Sequence, residues 1–269
     1  MTRLAGFGMY DFRATHDALD ALWDWVALDL VARGMADVPA HLAHDRSLEA
    51  IWREPDLLLA QTCGYPLRKH LGDAVRYIAT PSYDAPGCVG PMHRSFIVVA
   101  ADAPYASLAE LRGARAAVNG YDSNSGMNLF RAALAPIAGG RPMFASVRVT
   151  DAHANSLAAI AEGSADVAAI DCVSFWFVMR ERPLLADRVR ILAETPVSPG
   201  LPLITRRGTS DRELAMLRDA LAAAVASPAT ADARKILRLT GFTVLPDEAY
   251  DVVLAYEAGA AAAGYPELA

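Results

Sequence analysis

Residues 119–131 read NGYDSNSGMNLFR, and the interpretation of the whole chain starts from this stretch. A run of small apolar residues, 114–118, precedes it, and helix-forming residues occupy 127–135, so the pattern predicts a strand, a polar turn and a helix. The first N–H groups of a helix have no partner within the helix and lie at the positive end of its dipole. Together with the hydroxyls of Ser123 and Ser125 they could hold an anion. A serine that only caps its own helix is the simpler explanation of the same residues.

Composition and charge narrow the class of protein. The chain has 269 residues, of which 54% are hydrophobic, which is enough for one large domain or for two lobes. Its net charge of -6 argues against nucleic acid or an anionic membrane surface as the main partner, since both favour a basic face. The three cysteines lack CxxC spacing and are odd in number, so we expect free thiols.

The beginning of the chain is typical of a first strand. Residues 4–10 are too short for the apolar core of a signal peptide, and helical spacing of apolar residues then predicts a helix over 15–33. No window approaches the roughly 20 uninterrupted apolar residues of a membrane span. We therefore expect no membrane insertion, and either a cytoplasmic location or, if an export signal has been removed, a periplasmic one.

Strand and helix patterns alternate along the chain, which predicts the α/β class. Two connections rich in turn residues or extended residues, near 85–95 and 195–203, indicate that one lobe is inserted into another through two hinge crossings. The first lobe would comprise 1–90 and 198–269, and the inserted lobe 91–197. Each lobe would be a mixed sheet flanked by helices, with the ligand between the two lobes.

Aromatic and polar residues follow several predicted strands. Ligands of open α/β sheets collect beyond the carboxyl ends of strands, and Tyr10 and Tyr65 both occupy such positions. The segment 151–156, DAHANS, opens another helix with polar side chains. Asp171 ends a strand of small residues, where it could point into a cleft or cap the following helix, and the sequence favours neither.

The sequence offers no convincing metal or nucleophile site. His41, His44 and Asp45 supply suitable atoms, but His-x-x-His lacks the i, i+4 spacing that places two imidazoles on one helix face, so we expect a surface loop. Cys63 is expected to be a small buried residue, because no activating His or Asn lies near it in the sequence. We predict no metal ligand, no cofactor and no catalytic residue.

Three motifs carry a family resemblance. They are Ser-x-Ser-Gly at 123–126, His153 with 155–157, and the GSADVAAID segment at 163–171. Together they resemble the phosphate/phosphite/phosphonate-binding family of ABC-importer solute receptors. The resemblance runs in order from about residue 10 to 206. It implies the type II periplasmic-binding-protein fold and binding chemistry without turnover.

The resemblance also implies a set of ligand-binding residues. In it, the turn 123–126 would donate hydrogen bonds to phosphonate oxygens together with His153, and the two tyrosines would close the site from the other lobe. Asp171 would hold an amino group if the ligand carries one. The full set is Tyr10, Tyr65, Ser123, Asn124, Ser125, Gly126, His153, Ser156 and Asp171.

Two functions stay open at this point. The first is a solute-binding protein that closes two lobes over a small oxyanion, either as the receptor of an ABC-transporter permease or as a cytosolic sensor. The second is a cytosolic enzyme on the same scaffold that acts on a small carboxylated metabolite, as the menaquinone-pathway enzymes of this fold do. The enzyme would need His153 or Asp171 for proton transfer, whereas a binding protein needs only converging donors. Since fold alone does not separate them, the resemblance to receptors decides in favour of the binding protein.

Overall fold

The computed structural model describes residues 3–269, which divide into two compact units. The first unit comprises residues 3–84, 89–91 and 199–247, and the second comprises 85–88, 92–198 and 248–269. Each unit contains a five-stranded mixed sheet with helices packed against it. The α/β class and the mixed sheets are as the sequence predicts.

The sheet of the first unit has its longest apolar run in an interior strand. Its strands are β1 (Leu4–Gly6), β2 (Leu57–Gln61), β3 (Val75–Tyr83), β11 (Leu203–Arg206) and β12 (Leu239–Thr243), in the order β1-β2-β11-β3-β12. Strand β2 reads LLLAQ and is buried along its whole length, as expected for a strand covered on both faces. It runs parallel to β1 and antiparallel to β11.

The helices of the first unit cover this sheet. They are α1 (His16–Ala32), α2 (Leu48–Trp52), the single turn α3 (Gly64–Pro66), α8 (Asp211–Ala226) and α9 (Ala231–Leu237). Helix α1 matches the helix predicted over 15–33, and its apolar stripe, which includes Leu22 and Trp23, is buried in the core. In α8, Ser210 and Glu213 form a reciprocal capping box at the first turn.

The sheet of the second unit brings several strand ends to one edge. Its strands are β5 (Ser95–Ala100), β6 (Ala114–Val118), β7 (Phe144–Val149), β8 (Val167–Asp171) and β9 (Val189–Glu194), in the order β7-β6-β8-β5-β9. Strands β7 and β8 both run parallel to β6, so the carboxyl ends of all three lie at the same edge. Strand β5 is antiparallel to β8, and therefore its beginning lies at that edge as well.

Three helices of the second unit follow the ends of these strands, namely α4 (Leu129–Ala138), α5 (His153–Ala161) and α6 (Cys172–Glu181). The other two are α7 (Pro183–Ala186), which follows α6, and α10 (Asp251–Ala262) near the C-terminus. Helix α4 continues through Pro136, three residues beyond the predicted 127–135. It ends at Gly139, whose φ of 62° is left-handed, so of the two stop signals in the sequence, Pro136 and 139–140, the glycine is the effective one. Arg112 donates to the carbonyl of Ala138 over 3.0 Å and so satisfies a terminal acceptor.

The C-terminal segment lies in the second unit, whereas the sequence analysis assigned it to the first lobe. Helix α10 packs against α4, and Asn128 Nδ2 donates to the carbonyl of Val253 over 2.9 Å. The backbone N–H of Met143 donates to the carbonyl of Ala269 over 2.6 Å. These contacts join residues far apart in the sequence, so local pattern gave no indication of them.

Two further strands are very short. Strands β4 (Met92–His93) and β10 (Ser198–Pro199) pair with each other in a two-stranded sheet. Within residues 3–269, no helix combines the length and the apolar character that a bilayer crossing requires.

Candidate functional site

The polar turn after β6 is a wide helical turn that leads directly into α4. Asn124–Asn128 form this turn, and Ser123 is its N-cap. The Ser123 hydroxyl accepts a hydrogen bond from the N–H of Gly126 over 2.9 Å. The simple capping explanation therefore holds for Ser123, which satisfies a donor of its own helix.

Ser125 makes a different contact, to the start of a second helix. Its Oγ lies 3.0 Å from Nε2 of His153, the first residue of α5. Its backbone carbonyl accepts a hydrogen bond from the hydroxyl of Ser95 over 2.9 Å. A serine and a histidine that the sequence analysis placed in separate motifs thus meet at one edge of the sheet.

Gly126 is held where no side chain fits. A Cβ at this position would lie 1.8 Å from Asn119 Oδ1 and 3.2 Å from His153 Cε1. The first distance is far shorter than any real contact of a Cβ. The glycine of the Ser-x-Ser-Gly motif therefore allows the turn and the histidine to approach each other closely.

The environment of His153 favours its neutral form. Burial lowers the pKa of His153 to about 4, and the nearby His93 acts in the same direction, against the opposing charge of Asp171. At neutral pH the ring has one N–H and one lone pair. It can therefore act as donor or acceptor toward Ser125, and it could take up a proton if an anion arrived.

Asp171 is the N-cap of α6, one of the two roles that the sequence left open. Its Oδ1 accepts from the N–H of Ser174 over 2.8 Å, and its Oδ2 lies 2.9 Å from Nδ1 of the buried His93. Burial alone would raise the pKa of Asp171, but His93, the charge of His153 and the Ser174 N–H hold it below its ordinary value. Burial lowers the pKa of His93, but the hydrogen bond and charge of Asp171 outweigh burial and hold this pKa above its ordinary value. The two side chains form a buried ion pair.

Asn124 and Ser156 are occupied by internal contacts. Asn124 Nδ2 donates to Ser198 Oγ over 2.9 Å, while its Oδ1 accepts from Asn128 Nδ2 over 3.0 Å. The hydroxyl of Ser156 is fully buried and lies 2.6 Å from Thr150 Oγ1. Ser156 is in the first turn of α5, as predicted, but its hydrogen bond holds that turn to the end of β7.

The two predicted tyrosines lie in the first unit. Tyr10 ends the 3-10 turn Gly8–Tyr10, and its buried ring packs edge-on against Tyr83 with centroids 5.2 Å apart. Tyr65 lies in α3, and the Lys69 ammonium is 5.8 Å from the centroid of its ring. The structure thus brings Ser123, Ser125, Gly126 and His153 together in the second unit, and places both tyrosines in the other unit.

Sequence reasoning missed three residues of this site: His93, Ser95 and Asn119. The first two reach it because β5 is antiparallel to β8, so that Ser95 pairs in register with Asp171. A strand direction of this kind leaves no trace in the local pattern. Asn119 is part of the quoted stretch, and its position directly before a glycine-containing turn was the one signal that could have identified it.

A family profile described as "ABC transporter, phosphonate, periplasmic substrate-binding protein" matches residues 54–250, well over half of the chain. The chain belongs to this family. The match includes the turn 123–126, His153 and Asp171. No curated protein matches the chain.

Several solved structures share the fold. A binding protein component of an ABC phosphonate transporter from Pseudomonas aeruginosa superposes with a TM-score of 0.75 at 18% identity, covering 97% of this chain and 87% of its own. XAC2383 from Xanthomonas citri, bound to chloride, gives 0.74 at 20% identity and covers 97% and 98% of the two chains. PhnD1 from Prochlorococcus marinus in complex with methylphosphonate gives 0.71 at 14% identity, covering 96% and 97%.

These comparisons decide several predictions from the sequence. The fold is the type II periplasmic-binding-protein fold, and the resemblance to phosphonate-binding receptors is confirmed. The family consists of substrate-binding proteins of ABC transporters, so the chain is a binding protein and not an enzyme. Membership implies a small-molecule ligand and an ABC transporter as partner, and the family is described as periplasmic.

Proposed function

We propose that this protein binds a phosphonate, phosphite or phosphate ion, and that the turn 123–126 together with His153 supplies the donors. The observation that carries the proposal is the 3.0 Å contact between Ser125 Oγ and His153 Nε2, made at the starts of two helices. Two helix N-termini at one sheet edge direct positive dipole ends to the same region. Hydroxyl and imidazole donors added there suit a tetrahedral oxyanion.

The protonation state of His153 gives the proposed site a specific chemistry. With a pKa of about 4, the ring is neutral in the unliganded protein at neutral pH. An anion beside it favours the charged form, so the ligand would raise this pKa and His153 would take up a proton on binding. The resulting imidazolium N–H makes a shorter and stronger hydrogen bond to an oxyanion than a neutral ring makes.

The buried His93 lies at the same edge of the sheet. His93 is paired with Asp171 through Nδ1, while its Nε2 has no hydrogen-bond partner among the described residues. Because both carboxylate oxygens of Asp171 are already engaged, we do not assign Asp171 to an amino group of the ligand. The same engagement leaves Asp171 poorly placed for the proton transfer that the enzyme hypothesis assigned to His153 or Asp171.

The ligands of the structural neighbours agree with an anion site. PhnD1 was solved with methylphosphonate, and XAC2383 was solved with chloride and, separately, with ATP. All three ligands are anionic. They support the class of ligand proposed for this chain and leave the choice among oxyanions to experiment.

Calorimetric titration with methylphosphonate, phosphite, phosphate, sulfate and small carboxylates tests the proposal. We expect at least one tetrahedral oxyanion to bind, and Ser125→Ala to weaken that binding by about 1–3 kcal/mol, since a donor to a charged group is lost. Ser146→Ala is the matched control, because Ser146 is exposed on β7 in the same unit. Binding of carboxylates alone, or equal affinity in Ser125→Ala and wild type, would contradict the assignment.

The closure of two lobes, with Tyr10 and Tyr65 contributing from the first, stays a prediction. Small-angle scattering recorded with and without a bound oxyanion checks it, and identical curves would count against closure. The contribution of the tyrosines is checked by Tyr10→Phe and Tyr65→Phe, which remove one hydroxyl each and leave the ring.

We further propose that the ligand is delivered to the permease of an ABC importer. The family membership supports this partner, and importer receptors act in the periplasm. Cell fractionation of the natural full-length product tests it: recovery from the periplasm agrees with delivery, and recovery from the cytoplasm favours the sensor.

A further inference from the structure

Two carboxylates in the first unit flank a pair of neighbouring imidazoles whose planes are tilted by 40°. Asp11 follows the turn Gly8–Tyr10, His16 is the first residue of α1, and Asp20 lies one turn further along that helix. His44 comes from the loop before α2. The cluster therefore joins three segments of the chain.

The two carboxylates lie at opposite ends of the imidazole pair. Asp11 faces both Nδ1 atoms, with Oδ1 2.9 Å from His16 and Oδ2 2.6 Å from His44. Asp20 faces both Nε2 atoms, with Oδ1 2.9 Å from His44 and Oδ2 4.0 Å from His16. The ring centroids are 4.1 Å apart.

Three of these side chains also offer ligand atoms to a cation. Asp11, His16 and His44 each offer a ligand atom, and the three atoms lie within 4.8 Å of one another. A single divalent cation between them would take the place of the protons on the Nδ1 side.

We propose that Asp11, His16 and His44 bind a transition-metal cation of the Zn²⁺ type through one carboxylate oxygen and the two Nδ1 atoms. Imidazole donors favour zinc, copper or nickel over magnesium or calcium. Tetrahedral zinc with bonds of about 2.0–2.1 Å places its ligand atoms about 3.3 Å apart, which is longer than the contacts of 2.9 and 2.6 Å from Asp11 to His16 and His44, so the carboxylate has to move away from the two rings to admit the ion. The side chains of His16 and His44 are partly exposed, which leaves a coordination position for water.

Asp20 is the positioning residue of the proposed site. Its Oδ1 lies 2.9 Å from Nε2 of His44, where a carboxylate accepts the Nε2–H and leaves Nδ1 as the metal ligand, whereas Nε2 of His16 is 4.0 Å from its Oδ2. This carboxylate–histidine–metal order is common around zinc. The sequence analysis considered the pair His41 and His44, but His44 joins residues from another segment instead, and the cluster does not include His41.

Zinc titration of the chelator-treated full-length protein tests the proposal. We expect one equivalent of Zn²⁺ to bind, and one equivalent of Co²⁺ to give the intense visible absorption of a four-coordinate site. His44→Ala and Asp11→Asn should each lower the affinity at least tenfold, and Asp20→Asn about 10- to 100-fold. His41→Ala, three residues from His44 in the same loop, should bind as wild type does.

An NMR measurement on the wild-type protein tests the site without any variant that could fail to fold. Histidine resonances in a ¹H–¹⁵N NMR spectrum should show that Zn²⁺ shifts the rings of His16 and His44 and leaves that of His41 unchanged. The proposal is overturned if the wild type binds no zinc, if His44→Ala binds it equally well, or if the ring of His44 does not respond.

Discussion

His153 makes the stability of this protein depend on pH in a predictable direction. In the folded protein its pKa is about 4, lowered mainly by burial, whereas an unfolded histidine titrates near 6.5. Between these values the unfolded chain binds more protons than the folded one, so the free energy of unfolding falls as the pH is lowered. Replacement by asparagine removes this titration and keeps a polar side chain beside Ser125.

The size of the effect follows from the two pKa values. Relative to His153→Asn, the wild type should lose about 2 kcal/mol of stability between pH 7 and pH 5, and about 3 kcal/mol by pH 4. The variant will have its own stability at pH 7, so the quantity to compare is the change with pH. Groups that titrate in this range and do not interact with His153 are present in both proteins and cancel in the comparison.

Urea unfolding followed by far-UV circular dichroism at pH 7, 6, 5 and 4 measures this difference. Circular dichroism reports on both units. Tryptophan fluorescence would report mainly on the first, because Trp176 is the single tryptophan of the second unit. His41→Asn, at an exposed position, serves as the control and should follow the wild type. Parallel curves for wild type and His153→Asn would refute the argument that burial keeps His153 neutral.

Three further predictions concern the second unit. Gly126→Ala should destabilise the protein by about 1–3 kcal/mol in urea, because its Cβ would overlap a side-chain oxygen, whereas Gly259→Ala, in an open helix position, should stabilise it by up to about 1 kcal/mol; equal effects would contradict this. Asp171→Asn keeps a good helix cap but breaks the buried ion pair, so unfolding should become easier by about 3–5 kcal/mol, and a loss below about 1 kcal/mol would argue against the pair. Cys88 and Cys172 have their sulfurs 3.5 Å apart, so oxidised glutathione should convert them to an intramolecular disulfide and lower the count of free thiols from three to one, unless Cys88→Ser is present.

Much of the fold was predictable because its elements carry local signals. The apolar stripe of α1 and the apolar run LLLA of strand β2 are buried as their patterns predict. Helix α4 extends past Pro136, because one missing N–H does not end a helix, and it stops at the left-handed Gly139. Residues 248–269 carry no local signal of the unit to which they belong, because the contacts of α10 with α4 join distant parts of the chain.

The candidate site was predictable only in part. Ser125, Gly126 and His153 belong to motifs that the sequence displays, and parallel strands β6 and β7 then bring the two motifs to one sheet edge. The role of Ser123 as a cap was one of two explanations that the sequence allowed, and its hydroxyl does accept the N–H of Gly126. His93 carries no signal of its own, because its partner Asp171 is reached through an antiparallel strand pairing.

The sequence by itself determined the polar turn, the glycine within it and the helix that follows, because each depends on the intrinsic conformational preferences of a few neighbouring residues. The tertiary structure decided which polar groups meet. Strand order and direction place His153 against Ser125, His93 against Asp171, and His44 between Asp11 and Asp20. The same burial and pairing that fix these side chains also set the protonation of His153, which depends on how much water and charge surround the ring and not on the residues next to it in the chain.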